Sequence, residues 1–165
     1  MAADDTRGGT TDSVRVTSSP SLNLTAPLSV ETWIKPSKLP AAGQYASVLS
    51  KAESYTIQFN GPRLEFTIMQ FGVRQRLQAP VGAVVAGQTY HVVATYDGTT
   101  RRLYLNGVQV ASAGLTGNPS STTNNVYLGS WNGSRELLAG TIDEAAVYNT
   151  VLSPARVAAH YNAGH

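Results

Sequence analysis

Apolar and polar positions alternate in short runs along most of this chain, which is the period of a strand rather than of a helix. Over residues 29–35, Val30, Thr32 and Ile34 point one way and Glu31, Trp33 and Lys35 the other, and Pro36 closes the run. Two more alternating runs, 55–59 and 64–68, flank Asn60-Gly61, a pair that accepts positive φ at both central positions of a tight hairpin turn. Pro62 directly behind that pair lengthens or bulges the loop. Residues 89–113 predict a three-stranded meander turned at Asp97-Gly98 and again at Asn106-Gly107. A polar loop follows at 114–125, then strands at 126–129 and 139–142 with Trp131-Asn132-Gly133 in the bend between them; 145–148 continues the last strand. One helix is predicted at the C-terminal end. Ser153 is its N-cap, Pro154 sits at the first helical position, Leu152 and Val157 have staple spacing, and Gly164 ends it.

At 165 residues without an internal repeat or linker, the chain reads as a polar arm over 1–11 and one domain over 12–165. Ser and Thr fill 32 positions while only 13% of residues are charged. This suits short strands with hydroxyls on solvated faces, and points to an all-β fold. A formal net charge of +2 is too small for the field that phosphate-backbone binding needs, so nucleic acid is not an expected partner. With no cysteine there is no disulfide framework, thiolate metal site or cysteine nucleophile. The apolar runs are too short for a membrane-spanning helix, and the polar N-terminus does not read as a signal peptide.

Taken in order, several segments resemble the LamG-like group of laminin-G-like, concanavalin A-like jelly roll domains, in its bacterial and viral form. They are residues 28–36 (Leu-Ser-Val-Glu-Thr-Trp-Ile-Lys-Pro), 90–98 (Tyr-His-Val-Val-Ala-Thr-Tyr-Asp-Gly) and 103–107 (Leu-Tyr-Leu-Asn-Gly). Residues 126–129, then Gly140-Thr141-Ile142-Asp143-Glu144 through Tyr148-Asn149 and Leu152-Ser153, complete a match running over about residues 12–163. Tyr90 stands where that family usually has Trp, and a strand that often precedes this region is missing or shortened. The resemblance implies a two-sheet antiparallel jelly-roll sandwich with one short C-terminal helix. It leaves the function to be argued from sites, because the fold hosts lectins, adhesion modules, glycosidases and virion proteins.

Catalytic chemistry finds little support. A glycosidase needs two carboxylates about 5–9 Å apart across a sugar, and no two acids beyond the arm stand at i and i+2. Asp143 and Glu144 are adjacent, so on a regular strand they leave opposite faces. A pair drawn from Glu31, Glu53, Glu65 and Glu136 would have to converge in space. There is no nucleophile elbow, and His91, His160 and His165 read as a strand residue and two solvated positions. Calcium at the sandwich rim is what the resemblance implies, with Asp143 as first ligand and Asp12 as second. The competing account has Asp143 fixing the strand-to-loop corner by accepting backbone hydrogen bonds.

Sugar recognition needs an accessible ring beside amides or carboxylates. Trp131 in its predicted turn, with Asn132, Arg135 and the 117–125 loop around it, meets that description; alternatively its indole folds back over the core. Arg74, Arg76, Arg101 and Arg102 read as solvated strand faces. The sequence therefore points to a non-catalytic binding or adhesion module, extracellular or on a virion surface, recognising glycan or a protein surface through rim loops. A structural virion protein is the alternative, a phage capsid decoration or tail component contacting other virion subunits; the short lead-in from Met1 favours it. A glycoside hydrolase comes third, and association into an oligomer stays open.

Overall fold

Strand alternation carries the architecture. The computed structural model describes residues 12–164, so the arm over 1–11 and His165 lie outside the described residues. The strands are β1 (Val14–Val16), β2 (Leu28–Pro36), β3 (Tyr45–Lys51), β4 (Tyr55–Asn60), β5 (Arg63–Gln70), β6 (Val73–Gln78), β7 (Tyr90–Tyr96), β8 (Thr100–Leu105), β9 (Val108–Gly114), β10 (Val126–Leu128) and β11 (Gly140–Tyr148), followed by helix α1 (Pro154–Ala163). They form two antiparallel sheets, one of six strands in the order β1-β10-β3-β4-β5-β6 and one of five in the order β11-β2-β7-β8-β9. This is the jelly-roll sandwich that the sequence implies.

The core lies between the sheets. Ile57, Phe59, Leu64, Phe66 and Ile68 of the six-stranded sheet pack against Leu28, Val30, Ile34, Val92, Ala94, Tyr96 and Leu103 of the other, all essentially inaccessible. Register follows from the pattern: pairing Glu65 with Gln78 and Phe66 with Leu77 puts Leu64, Phe66 and Ile68 of β5 on the core side, and a one-residue slip would turn all three outward.

The turns obey backbone chemistry more closely than dipeptide rules. Leu105 pairs with Val108, so Asn106-Gly107 is the two-residue loop, and both residues have positive φ (50° and 80°), as expected. In the other hairpin Asn60 pairs with Arg63, which makes Gly61-Pro62 the central pair instead of Asn60-Gly61. Gly61 takes the positive φ of 56° and Pro62 supplies the fixed negative φ that a glycine-first turn requires at its second position.

The expectation of solvated hydroxyl faces is overturned for the six-stranded sheet. Ser47, Ser50, Thr56, Gln58, Glu65 and Thr67 point away from the core and are nevertheless buried. Long side chains from the sheet's margins lean over them. The Arg74 guanidinium of β6 lies 5.7 Å from the Tyr45 ring of β3, although two strands, roughly 14 Å of sheet, separate β6 from β3.

The outer face of the five-stranded sheet is covered by α1. The Ser153 hydroxyl accepts the Arg156 N–H and Pro154 starts the helix, as predicted. Leu152 and Val157 bury themselves against Val93 and Tyr104. Gly164 ends the helix as predicted, with φ −98°, outside the left-handed region. Glycine is needed there for space: a Cβ would sit 2.5 Å from Cζ2 of Trp33.

Candidate functional site

The bend between β10 and β11 folds over the outer face of the six-stranded sheet and is tied down by its own polar residues. Asn132 Oδ1 accepts from the N–H groups of Ser134 and Arg135 and from the Ser134 hydroxyl (3.3, 3.2 and 3.1 Å). This is the local side-chain turn for which Asn is suited. Ser130 Oγ accepts the Gly133 N–H (2.9 Å), and a Cβ on Gly133 would come within 3.1 Å of the Tyr127 ring. The bend is anchored to β3 twice, by the Ser47 N–H to the Glu136 carbonyl (2.7 Å) and by the Ser47 hydroxyl to Glu136 Oε2 (2.9 Å).

These ties hold Trp131 half-buried at one wall of a cavity of about 370 Å³ lined by Ala52, Glu53, Thr123, Asn124, Asn125, Tyr127, Trp131 and Asn132. The 123–125 segment that also lines it rests on a buried lysine. Lys51 Nζ donates to the Asn124 carbonyl (2.7 Å) and to Ser18 Oγ (3.2 Å), and burial lowers the pKa of its ammonium. Asn124 Nδ2 donates to the Ala52 carbonyl (3.0 Å) and Asn125 Oδ1 accepts the Ser18 N–H (3.0 Å), which fixes both amides. The cavity thus sets two aromatic rings beside three amides and one carboxylate.

Of the residues that sequence reasoning named, Trp131 and Asn132 line this cavity together with Thr123, Asn124 and Asn125 of the polar loop. Arg135 does not; its N–H supports Asn132 and its side chain is exposed. Tyr127 was not anticipated, and Glu53 was named only as a candidate catalytic acid. Tyr127 had a signal, since it alternates with Val126 and Leu128 and must face outward when they face the core.

The two residues expected to hold calcium, Asp143 and Asp12, are both exposed. Asp143 Oδ1 accepts the Glu144 N–H (2.9 Å), the corner-fixing role that competes with metal binding. Asp12 approaches Gly129 only through its backbone carbonyl. No group of three His, Cys, Asp or Glu among the described residues is placed to hold a metal ion, so a calcium ion held by Asp143 would need backbone carbonyls and water for most of its six to eight oxygens.

Adjacent Asp143 and Glu144 do not leave opposite faces. β11 carries a bulge between Asp143 and Ala146, and Glu144 takes φ 48°, so both line one cavity of about 290 Å³ beside Trp33 and Lys35. Among the four candidate glutamates, Glu65 and Glu136 share the outer face of the six-stranded sheet, with Ser47 and Gln58 between them in register. Glu65 is fully buried, accepting from Gln58 Nε2 (2.6 Å), Gln78 Nε2 (3.0 Å) and Asn60 Nδ2 (3.3 Å), with Arg76 Nε at 3.8 Å. A carboxylate so enclosed has no face left for a substrate.

Glu31 is enclosed in another way. On the outer face of β2, beneath α1, it accepts from His91 Nε2 (2.7 Å), the Tyr148 hydroxyl (2.7 Å) and His160 Nδ1 (2.9 Å). Burial pushes its pKa up, but the hydrogen bonds from His91, Tyr148 and His160 outweigh burial and hold it at about 2. His160 is therefore a clamp rather than a solvated surface residue, and the buried His91 does more than pair with its strand neighbours.

The profile of the concanavalin A-like lectin/glucanases superfamily matches residues 8–158. No curated protein matched the chain by sequence. Among solved structures, the binding domain of paraclostridial mosquitocidal protein 1 superposes with a TM-score of 0.75 at 16% identity, covering 92% of this chain and 41% of that one. The receptor binding domain of botulinum neurotoxin type G superposes with a TM-score of 0.70 at 12% identity, covering 92% of this chain and 42% of that one. At these identities the likeness is one of fold. The chain spans less than half the length of either binding domain.

Proposed function

Given that the chain belongs to the concanavalin A-like lectin/glucanase superfamily, we propose that it is a non-catalytic carbohydrate-binding module whose ligand lodges in the Trp131 cavity and is presented on a surface outside the cell. The observation that carries this reading is the cavity itself, where Trp131 and Tyr127 stand beside Asn124, Asn125, Asn132 and Glu53. Amides and a carboxylate around aromatic rings match the alternating hydroxyl edges and apolar faces of a sugar. Supporting the non-catalytic part, Glu65 and Glu31 are each enclosed by side-chain donors, and Glu136 is tied to Ser47. The toxin domains that share the fold are themselves named as binding domains.

The test is a glycan-array screen with the whole chain and with Trp131→Ala, each in calcium and in chelator. Binding by the wild type that disappears in the variant, while its melting temperature falls by only about 3–6 °C and the chain stays folded, is the expected result. An array that stays silent under every condition overturns the reading. Loss in chelator alone would bring calcium back as a ligand of the site.

A further inference from the structure

Nine arginines are present, and most have an evident use or are fully solvated. Arg63 donates to the Ala79 carbonyl, Arg101 to Gly114, Arg102 to Asp97 and Arg76 to the Tyr45 hydroxyl. Arg15, Arg135 and Arg156 are exposed. Arg74 differs from all of these. It is half-buried, with its guanidinium carbon 4.9 Å from the centre of the Trp131 ring and 5.7 Å from that of Tyr45, and it has no hydrogen-bond acceptor or carboxylate among the described residues. The carboxylates sharing its face are already engaged, Glu65 by Gln58, Asn60 and Gln78, and Glu136 by Ser47.

A guanidinium set over an aromatic ring keeps its cation–π attraction and directs its N–H donors past the ring edge in one plane. That fork matches two oxygens of a carboxylate or sulfate. The ring that Arg74 covers is the same Trp131 that walls the cavity, so a group touching the indole edge meets these donors. We infer that Arg74 is a specificity-determining residue and that the sugar recognised at Trp131 carries an anionic substituent, a carboxylate or a sulfate, which the Arg74 guanidinium receives. The inference rests on the carbohydrate reading of the cavity and deepens it. It also explains why the side chain is arginine: a lysine ammonium at this point would supply the charge without the planar fork or the stacking surface.

The experiment measures binding of the whole chain to two matched pairs of polymers, polygalacturonate against its methyl ester and dextran sulfate against dextran. The proteins are the wild type, Arg74→Ala, Arg74→Lys, Trp131→Ala and Arg156→Ala, the last removing an exposed charge on α1. The wild type is expected to bind one acidic polymer about tenfold or more tightly over its neutral partner, an interval that one well-made charged contact supplies. Whichever pair shows the preference identifies the substituent. The preference should collapse in Arg74→Ala, persist in part in Arg74→Lys and stay whole in Arg156→Ala, with melting temperatures confirming that each variant folds. Equal binding of acidic and neutral polymers, lost together in Trp131→Ala, would overturn the role of Arg74 while leaving the carbohydrate site standing. A preference reduced as much by Arg156→Ala as by Arg74→Ala would also overturn it, as overall charge would then be the cause. Binding to none of the four polymers and to nothing on the array overturns both readings.

Discussion

The two outer faces of the sandwich each bury a carboxylate, and they do so by opposite means. On the six-stranded sheet, Glu65 is satisfied by amides 5, 7 and 13 residues away, all on neighbouring strands. On the five-stranded sheet, Glu31 is satisfied by His91, Tyr148 and His160, which lie 60, 117 and 129 residues away. The first network forms as soon as two hairpins form. The second requires the meander, the last strand and the terminal helix to be in place together. The difference separates a face held by its own strands, which can leave rings and amides over for a ligand, from a face whose polar groups are spent on fastening a helix.

Removing the acceptor is the strongest way to test that contrast. Glu31→Ala leaves the donors of His91 and Tyr148 and the inner edge of α1 without a partner, and should cost about 3 kcal/mol, a melting temperature lower by about 9 °C. Glu65→Ala should cost about 2 kcal/mol, since Asn60 and Gln78 are only partly buried and can turn to water. Calorimetry on the two variants checks the order. Equal losses, or a larger one at Glu65, would mean that the helix clamp contributes less than its geometry implies.

Acid and alkali sharpen the same point. The Glu31 pKa lies at about 2 in the folded chain against an ordinary 4.5, so the unfolded chain binds the extra proton first. The stabilisation is complete above pH 4.5 and is lost as pH falls through 2. Its partner behaves conversely. Burial, then the hydrogen bond to Glu31 and its charge, raise the Tyr148 phenol to about 12 from 10. That contribution is complete below pH 10 and is lost as pH rises towards 12. Chemical denaturation across pH should therefore show the acid slope reduced in Glu31→Gln and the alkaline slope reduced in Tyr148→Phe. Slopes unchanged from the wild type would refute the assignment.

Trp131→Ala is expected to do the reverse of Glu31→Ala. It should abolish ligand binding at a stability cost of about 1–2 kcal/mol, since the ring is half-buried and rests on Arg74. If the two variants were alike, each costing both stability and binding in proportion, the division of labour between the faces would be wrong.

How far the sequence could be read follows from the same contrast. β2, the 55–70 hairpin, the meander, β10, β11 and α1 were all legible, because each has its own period and its own turn residues. β3 was not, because the register shift between Ser47 and Leu49 breaks its alternation. β6 was not, because its Arg-Gln-Arg run reads as polar although it pairs along β5 from Val73 to Gln78. Trp131 and Asn132 were legible because the bend that places them is built from neighbours in the chain. Arg74 reads as a solvated strand charge until the fold puts it over Trp131. The Glu31 clamp left only an indirect trace: Trp33 and Val93 on strand positions facing away from the core imply a cover, and the helix carrying Val157 and Tyr161, with Leu152 just ahead of it, was the element free to supply it.

The smallest effect sits where that helix stops. A Cβ at Gly164 would overlap the Trp33 indole, 2.5 Å from Cζ2 and 3.0 Å from Cε2. Trp33 cannot easily yield, because its ring lies against His91 (4.9 Å between centroids) and Tyr161 (5.9 Å). The helix end can yield by fraying, so Gly164→Ala should cost only about 1 kcal/mol. Gly140→Ala is the useful foil, since its Cβ would strike the Lys35 carbonyl, and backbone inside a sheet cannot fray away. The expected signature at Gly164 is local. Amide exchange should quicken over the last turn of α1 and at Tyr148, where the Glu31 clamp begins to loosen, while the six-stranded face and its ligand affinity stay as they were. A change in binding at the Trp131 cavity on altering Gly164 would show that the two faces, 1–2 side chains deep on opposite sides of one core, are coupled after all.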